Sequence, residues 1–285
     1  MMDWISEDQI MIVGLGLMGG SYARALKRLG FHVSAIDKDP ESIEYAEKSG
    51  IIDRGYTVPE PEAVGNADAL IFALYPGVFR EWIREYGNLL KPGARITDVT
   101  GVKKCIVYDI QDMLKDDVEF IASHPMAGRE VYGVKNSTDK LFTDANYIVV
   151  PTEKNTQGAI EWCKGLGRLL GFRKVSVLSP EQHDEMIGFV SQLTHCIAVG
   201  LMTCSDNAHL VDYTGDSFRD LTRIARINDA MWSELFMLNR EPLLEKMDSF
   251  ISEMQLLRDM LSSGDTEALR EKMRLSTERR ALFDK

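Results

Sequence analysis

A chain of 285 residues has room for one large domain or two ordinary ones. With 45% hydrophobic and 27% charged residues it falls among ordinary globular proteins. Its net charge of −11, with no dense basic stripe, argues against a nucleic-acid partner, because binding a phosphate backbone needs clustered cations. The four cysteines (Cys105, Cys163, Cys196, Cys204) form neither a C-x-x-C pair nor a metal-ligand spacing. They are expected to be small buried hydrophobes in a reducing compartment, with no metal site.

The stretch Met1 to Gln9 holds three acids and lacks the layout of a signal peptide. No apolar run reads as approaching the length of a bilayer span. A cytoplasmic protein with no membrane partner is therefore expected.

In chain order, the first strong signal is the β-branched run Ile10-Met11-Ile12-Val13, which reads as a strand buried on both faces. Gly14-Leu15-Gly16-Leu17-Met18-Gly19 follows at once and fits G-x-G-x-x-G. Apolar residues at helical spacing run from Ser21 to Leu29, and Gly30 closes that helix. The next strand, Phe31 to Ile36, ends on Asp37, 21 residues after Gly16. Each piece has a physical role in dinucleotide binding. Gly14 allows the turn, Gly16 lets backbone approach a pyrophosphate, and Gly19 lets helix and strand touch. Leu17 and Met18, within the same motif, are expected at the cofactor, and the N-terminus of the helix that follows presents free N–H groups to the anion. Asp37 accepts hydrogen bonds from a ribose 2′-hydroxyl and repels a 2′-phosphate, so NAD is expected over NADP.

Pro40 to Lys48 reads as a helix with its glutamates on the wet face. Ala67 to Leu74 is another doubly buried strand, and Tyr75-Pro76-Gly77 breaks it at the carboxyl edge of the sheet, which places Tyr75 at the cofactor. Helix Val78 to Leu90, strand Arg95 to Asp98, helix Val102 to Leu114 and strand Glu119 to Ala122 follow. Two more strands, Asn146 to Val150 and Lys174 to Leu178, flank a helix from Thr156 to Leu170. This alternation predicts an α/β fold with a mostly parallel Rossmann-type sheet and helices on both faces.

At Ser179-Pro180-Glu181 the pattern changes to helix almost throughout. The spacing therefore divides the chain into residues 1–179, an NAD-binding domain, and 180–285, an all-α domain. The helix from Glu181 to Asn207 is apolar over much of its surface and must be buried, which predicts pairing with a second copy. Thr266 to Arg280, with charges at i,i+4 spacing, reads as a solvated helix.

A nicotinamide site needs a group that takes a proton from an alcohol while hydride leaves carbon, and histidine suits that work. Of five histidines, His32 and His209 read as structural or solvated, and His183 as a first-turn residue without a role. His124 directly follows a buried strand at the edge where ligands bind; position alone leaves open whether it is catalytic or structural. His195, mid-helix among apolar residues, reads from position alone as a satisfied core histidine. Arg223 either clamps a substrate carboxylate or forms a structural ion pair with Asp220 or Glu130.

Taken together these residues resemble the prephenate and arogenate dehydrogenase family of tyrosine biosynthesis. The resemblance rests on the glycine turn with Gly20-Ser21, the loop Asp98-Val99-Thr100-Gly101-Val102-Lys103, and Ser123-His124-Pro125-Met126-Ala127-Gly128. It continues through Ser179-Pro180-Glu181-Gln182-His183-Asp184, Ser191-Gln192-Leu193-Thr194-His195, Phe218 to Ala225, and Met231-Trp232. What it implies is an NAD-dependent oxidative decarboxylation. His124 takes the proton of the C4 hydroxyl, Arg223 holds a carboxylate, His195 lines the substrate pocket, and the helical domain forms a homodimer. Where the family often has a serine this chain has Gly101 on the substrate side, with Thr100 next door as the expected substitute hydroxyl. Where a second histidine is common, Gln192 offers hydrogen bonds without a titrating group. Alternatives are arogenate as substrate, a short-chain β-hydroxyacid dehydrogenase, or a non-catalytic NAD-binding sensor. The second of these would need a lysine near Ser191 to His195, and none is there.

Overall fold

The computed structural model describes Trp4 and residues 7–284, so part of the N-terminal stretch read above, residues 1–3, 5 and 6, lies outside it. The first strand, β1 (Gln9–Val13), is buried over its last four residues. The first helix, α1 (Leu17–Arg28), starts one turn earlier than the apolar spacing predicts, because Gly16 is already the extended residue that opens it. Then come β2 (His32–Ile36) and α2 (Pro40–Lys48), whose first turn is capped by the Asp39 carboxylate on Glu41 N–H. A short strand β3 (Arg54–Tyr56) and a short helix α3 (Pro61–Asn66) escape sequence reading, since three and six residues are too few for periodicity to register.

The elements β4 (Ala69–Phe72), α4 (Pro76–Tyr86), β5 (Arg95–Asp98) and α5 (Lys104–Met113) follow. The single strand expected over Glu119 to Ala122 is two, β6 (Glu119–Phe120) and β7 (Ala122–Met126). The Rossmann part closes with β8 (Asn146–Val150), α6 (Gln157–Leu169) and β9 (Lys174–Val177).

Six strands form one parallel sheet in the order β3-β2-β1-β4-β5-β6, and β7-β8-β9 form a second, in which β7 runs antiparallel to β8. The order reverses between β1 and β4, the switch point where such sheets leave a crevice at their carboxyl ends. Alternate residues of β1 serve the two faces. Ile10 and Ile12 pack among Tyr22, Leu26 and Trp162, whereas Met11 and Val13 pack among Phe79, Ile106 and Ile110. The fold class expected from the strand and helix alternation is thus the fold observed.

The chain leaves the large sheet just where chemistry is expected. Ile121 still donates to Ile96 O, but Ser123 N–H turns to the Asp98 carboxylate and the Ser123 hydroxyl to Asp98 O. This departure sends His124 past the end of β5. Pro125 is tolerated because β7 is an edge strand of its small sheet.

The helical part begins with α7 (Pro180–Ile187), held by a capping box in which Ser179 accepts from Gln182 N–H and Gln182 accepts from Ser179 N–H. A π-helical turn over Gly188–Leu193 joins it to α8 (Thr194–Thr203). Then follow α9 (Leu210–Tyr213), α10 (Asp216–Thr222), α11 (Asp229–Leu238), α12 (Arg240–Ser263) and α13 (Thr266–Arg280). The helix expected to reach Asn207 stops at Thr203.

Two expectations are corrected here. Pro180–Thr203 is a continuous helical run of 24 residues with a mean hydropathy of 1.5 over its most apolar window, long and apolar enough by length and composition to cross a bilayer. The expectation that no apolar run approaches that length is thereby overturned, since residues 186–203 hold no Asp, Glu, Lys or Arg. Only 28% of that window is buried, so the helix is not covered within one chain as its composition demands. Met186, Phe189, Val190 and Met202 stand exposed, as do Ile251 and Met254 of α12. The cysteines also differ from expectation: Cys163 is buried, Cys105 and Cys196 are half-buried, and Cys204 is exposed at the end of α8.

Candidate active site

A cavity of about 580 Å³ opens at the carboxyl end of the parallel sheet and is closed on its far side by the π turn and α11. Its size suits a small-molecule site. It brings together residues far apart in sequence: Gly16, Leu17 and Met18 of the glycine turn, Tyr75, Thr100, Gly101, His124, Gln192 and His195. Gly14, Gly19, Asp37 and Arg223 stand outside its lining.

The glycine turn is built for a ligand rather than for packing alone. Gly14 has φ +97°, and a Cβ on Gly19 would sit 1.8 Å from Gly14 O, so both are demanded by the turn itself. A Cβ on Gly16 would meet nothing within 4 Å. The space it leaves open adjoins the N-terminus of α1, where free N–H groups favour an anion. Asp37 Oδ2 accepts from Leu15 N–H at 2.6 Å, which fastens the carboxylate to the turn, while Oδ1 accepts from Asp39 N–H. Tyr75 caps α4 and takes a hydrogen bond from Asn228 at 3.2 Å. These residues fit a dinucleotide: an open glycine cradle, a helix N-terminus, and a carboxylate at the end of β2.

The loop after β5 is organised by Asp98. Its carboxylate accepts from Ser123 N–H, Thr100 N–H, the Thr100 hydroxyl and the fully buried Lys103 ammonium at 2.6 Å. Breaking such a buried pair by removing one partner costs about 3–5 kcal/mol. The expected substitution of Thr100 for a serine hydroxyl is corrected by this arrangement. The proton of Thr100 goes to Asp98 or Val102 O and its lone pair receives Lys103 at 3.0 Å, so the hydroxyl serves the loop. At Gly101 an added Cβ would lie 3.3 Å from Leu235, which packs where a longer side chain would start.

His124 lines the cavity, and its Nδ1 lies 2.9 Å from Nε2 of His183. Burial, and after it the neighbouring His183 and Lys103, hold the His124 imidazole well below its usual 6.5, so it is neutral at physiological pH. His183, read from sequence as a residue without a role, is fully buried and lies 2.7 Å through Nδ1 from Asp184 Oδ1. Burial lowers its pKa too, against the opposing effect of its hydrogen bond to Asp184. Asp184 in turn accepts from Lys103 N–H and Lys104 N–H at 2.8 and 2.9 Å, capping α5 from the helical half of the chain.

His195 stacks on Trp232 with ring centroids 3.7 Å apart and places Nδ1 2.9 Å from Ser191 O. It is a cavity residue, not the core histidine that its position suggests. Gln192 is buried, and its amide ties helices together: Nε2 donates to Leu235 O at 3.1 Å, and Oε1 accepts from Asn239 at 2.7 Å. That tie engages one N–H and one lone pair of the amide, which also lines the cavity. Arg223 begins a 3₁₀ turn, is 64% exposed, and pairs with Glu130 at 2.5 Å, one of the two alternatives left open above. Glu130 lines the cavity, and so do Arg129 and Arg226, two guanidinium-bearing residues that sequence reasoning passed over.

Comparison with known proteins adds an independent finding. Residues 22–176 match the family model described as prephenate dehydrogenase, nucleotide-binding domain, and residues 179–275 match prephenate dehydrogenase, dimerization domain. The chain is 31% identical to a prephenate dehydrogenase of Bacillus subtilis over 92% of its own length and 72% of that protein. It is 29% identical to a cyclohexadienyl dehydrogenase of Zymomonas mobilis over 95% and 94%. Among solved structures, the prephenate dehydrogenase of Aquifex aeolicus in complex with hydroxyphenyl propionate and NAD+ superposes with a TM-score of 0.89 at 31% identity, covering 98% of this chain and 99% of that one.

Proposed function

The chain belongs to the prephenate dehydrogenase family, and from that premise we propose that it is an NAD-dependent prephenate dehydrogenase, converting prephenate to 4-hydroxyphenylpyruvate and carbon dioxide. The observation that carries the reading is that the glycine turn and a neutral His124 line one cavity. Bound at the turn, the nicotinamide cofactor supplies the hydride acceptor. His124 accepts the proton of the substrate's C4 hydroxyl as hydride leaves C4, loss of the ring carboxylate as carbon dioxide makes the ring aromatic, and the His124 cation returns the proton to the phenolate oxygen so formed. A neutral imidazole facing the cavity is the protonation state this step requires.

Incubation with NAD and prephenate, followed through the absorbance of reduced cofactor, tests the assignment. Steady reduction with prephenate is the expected result. Reduction with arogenate alone moves the substrate assignment to arogenate, and none with either leaves a non-catalytic binding protein. The Leu15 to Asp37 bond that aims a carboxylate at the ribose site supports NAD over NADP.

For a substrate carboxylate we assign Arg223, with His195 on the pocket wall. Glu130 neutralises Arg223 when no substrate is bound, so a carboxylate must displace it. Arg223→Ala is expected to raise KM by roughly 2 kcal/mol, about thirtyfold, with a smaller change in kcat, in steady-state assays at saturating NAD.

The exposed apolar face of α7, α8 and α12 supports a homodimer through the helical part, and the match of residues 179–275 to a dimerization-domain family supports it further. Light scattering on a sizing column is expected to give about twice the 32.1 kDa of one chain. A mass of one chain at micromolar concentration contradicts that assembly. We place the domain boundary near Ser179, between the last strand and the capping box. A cytoplasmic location is consistent with four cysteines that all remain free.

A further inference from the structure

We propose that His183 and Asp184 are positioning residues that fix the ring tautomer of His124 and so leave its cavity nitrogen free to take a proton. The proposal rests on the reaction assigned above only for the identity of the substrate. It follows from which groups can donate and which cannot. An ionised carboxylate only accepts, and Asp184 already accepts from two backbone N–H groups of the loop opening α5. The 2.7 Å contact with His183 therefore places the single proton of that neutral ring on Nδ1. His183 Nε2 is left as a lone pair, so across the 2.9 Å contact His124 must donate from its own Nδ1. A neutral His124 then carries no proton on Nε2. Since its Nδ1 side meets a fully buried ring, Nε2 is the nitrogen available to the cavity.

The chain of acceptors starts at a carboxylate that two backbone N–H groups hold in place. Asp184 sits at a helix N-terminus, and the buried Lys103 ammonium is matched by Asp98. Asn239, buried at the junction of α11 and α12, donates to Asp184 O and to Gln192 Oε1, which holds the turn of α7 that carries both residues. The two halves of the molecule thus contribute different parts of one device. The Rossmann half supplies the base, and the helical half sets its proton inventory. When His124 takes the substrate proton, its Nδ1–H stays directed at His183, and the Asp184 carboxylate stabilises the resulting cation through that ring. The orienting carboxylate of serine proteases acts on its histidine in the same physical way, directly rather than through a second ring.

Histidine-selective ¹⁵N NMR at pH 8, with resonances assigned through His124→Asn and His183→Gln, reads the tautomers with no substrate present. The wild-type protein is expected to show His124 and His183 both protonated on Nδ1. A proton on Nε2 of His124 overturns the proposal whether or not any variant folds, and whatever substrate the enzyme takes. Asp184→Asn can donate as well as accept, so it is expected to mix the tautomers. Its kcat should fall at least about thirtyfold while KM and NAD affinity change less than about threefold, in line with loss of an orienting carboxylate. A kcat within threefold of wild type, or a large loss with the His124 tautomer unchanged, overturns it. His183→Gln, whose carbonyl can still accept from His124 Nδ1–H, is expected to keep at least about tenfold more activity than His183→Leu; equal activities count against the pairing. If the tautomers are found as expected and prephenate is not oxidised, the function assignment fails and the positioning role stands.

Discussion

Replacing His124 with Asn is expected to lower kcat at least about a hundredfold and to leave the dissociation constant of NAD within a factor of two. Asparagine keeps a hydrogen-bonding end of similar reach but cannot accept a proton at any working pH, and general-base catalysis contributes about 10²–10⁴ in rate. Cofactor affinity should hold, because the turn from Gly14 to Gly19 and Asp37 make no hydrogen bond to His124. Stopped-flow or steady-state reduction of NAD gives the first quantity and fluorescence titration the second. The pH profile carries the sign of the argument. Burial holds the wild-type imidazole well below 6.5, so its base form persists from alkaline pH down past neutrality. Activity should therefore stay level through pH 7 and fall only on further acidification, as the ring takes a proton and loses its lone pair. The residual activity of the variant should lack that acid limb. Unchanged turnover in His124→Asn would remove the base from the mechanism.

Gly16→Val is expected to weaken NAD binding on the order of a hundredfold, about 2.7 kcal/mol, while shifting the melting temperature of the free protein by no more than a degree or two. The two halves of that expectation come from one observation. An added Cβ at Gly16 finds no protein atom within 4 Å, so the folded chain tolerates it, and the open space it enters is where the turn lets backbone meet a pyrophosphate. Overpacking in a filled site costs about 1–3 kcal/mol, and here the cost is met only when the cofactor is present. Gly19→Ala supplies the contrast, since its Cβ would collide with Gly14 O and should destabilise the protein with or without NAD. Calorimetric titration and thermal melts on the two variants separate a ligand cradle from a packing glycine. Equal destabilisation of the free protein by both would refute the distinction.

What the amino-acid sequence determined by itself is whatever depends on near neighbours along the chain. Doubly buried strands announce themselves as continuous β-branched runs, and the glycine turn lies within six residues between one strand and one helix. The placement of His124 was legible for the same reason, because it follows a buried run and precedes Pro125 and Gly128. The edge strand Arg54–Tyr56 was missed because three residues around a glycine carry no period. Tertiary structure alone decided which polar groups were already occupied. Thr100, Gln192 and Arg223 all have chemistry suited to a substrate, yet Asp98, Leu235 with Asn239, and Glu130 respectively engage them. Tertiary structure also decided that His183, 59 residues from His124, meets it ring to ring. Hydrogen-bond capacity is saturable and has no period in sequence, so only the folded arrangement says which donor reaches which acceptor.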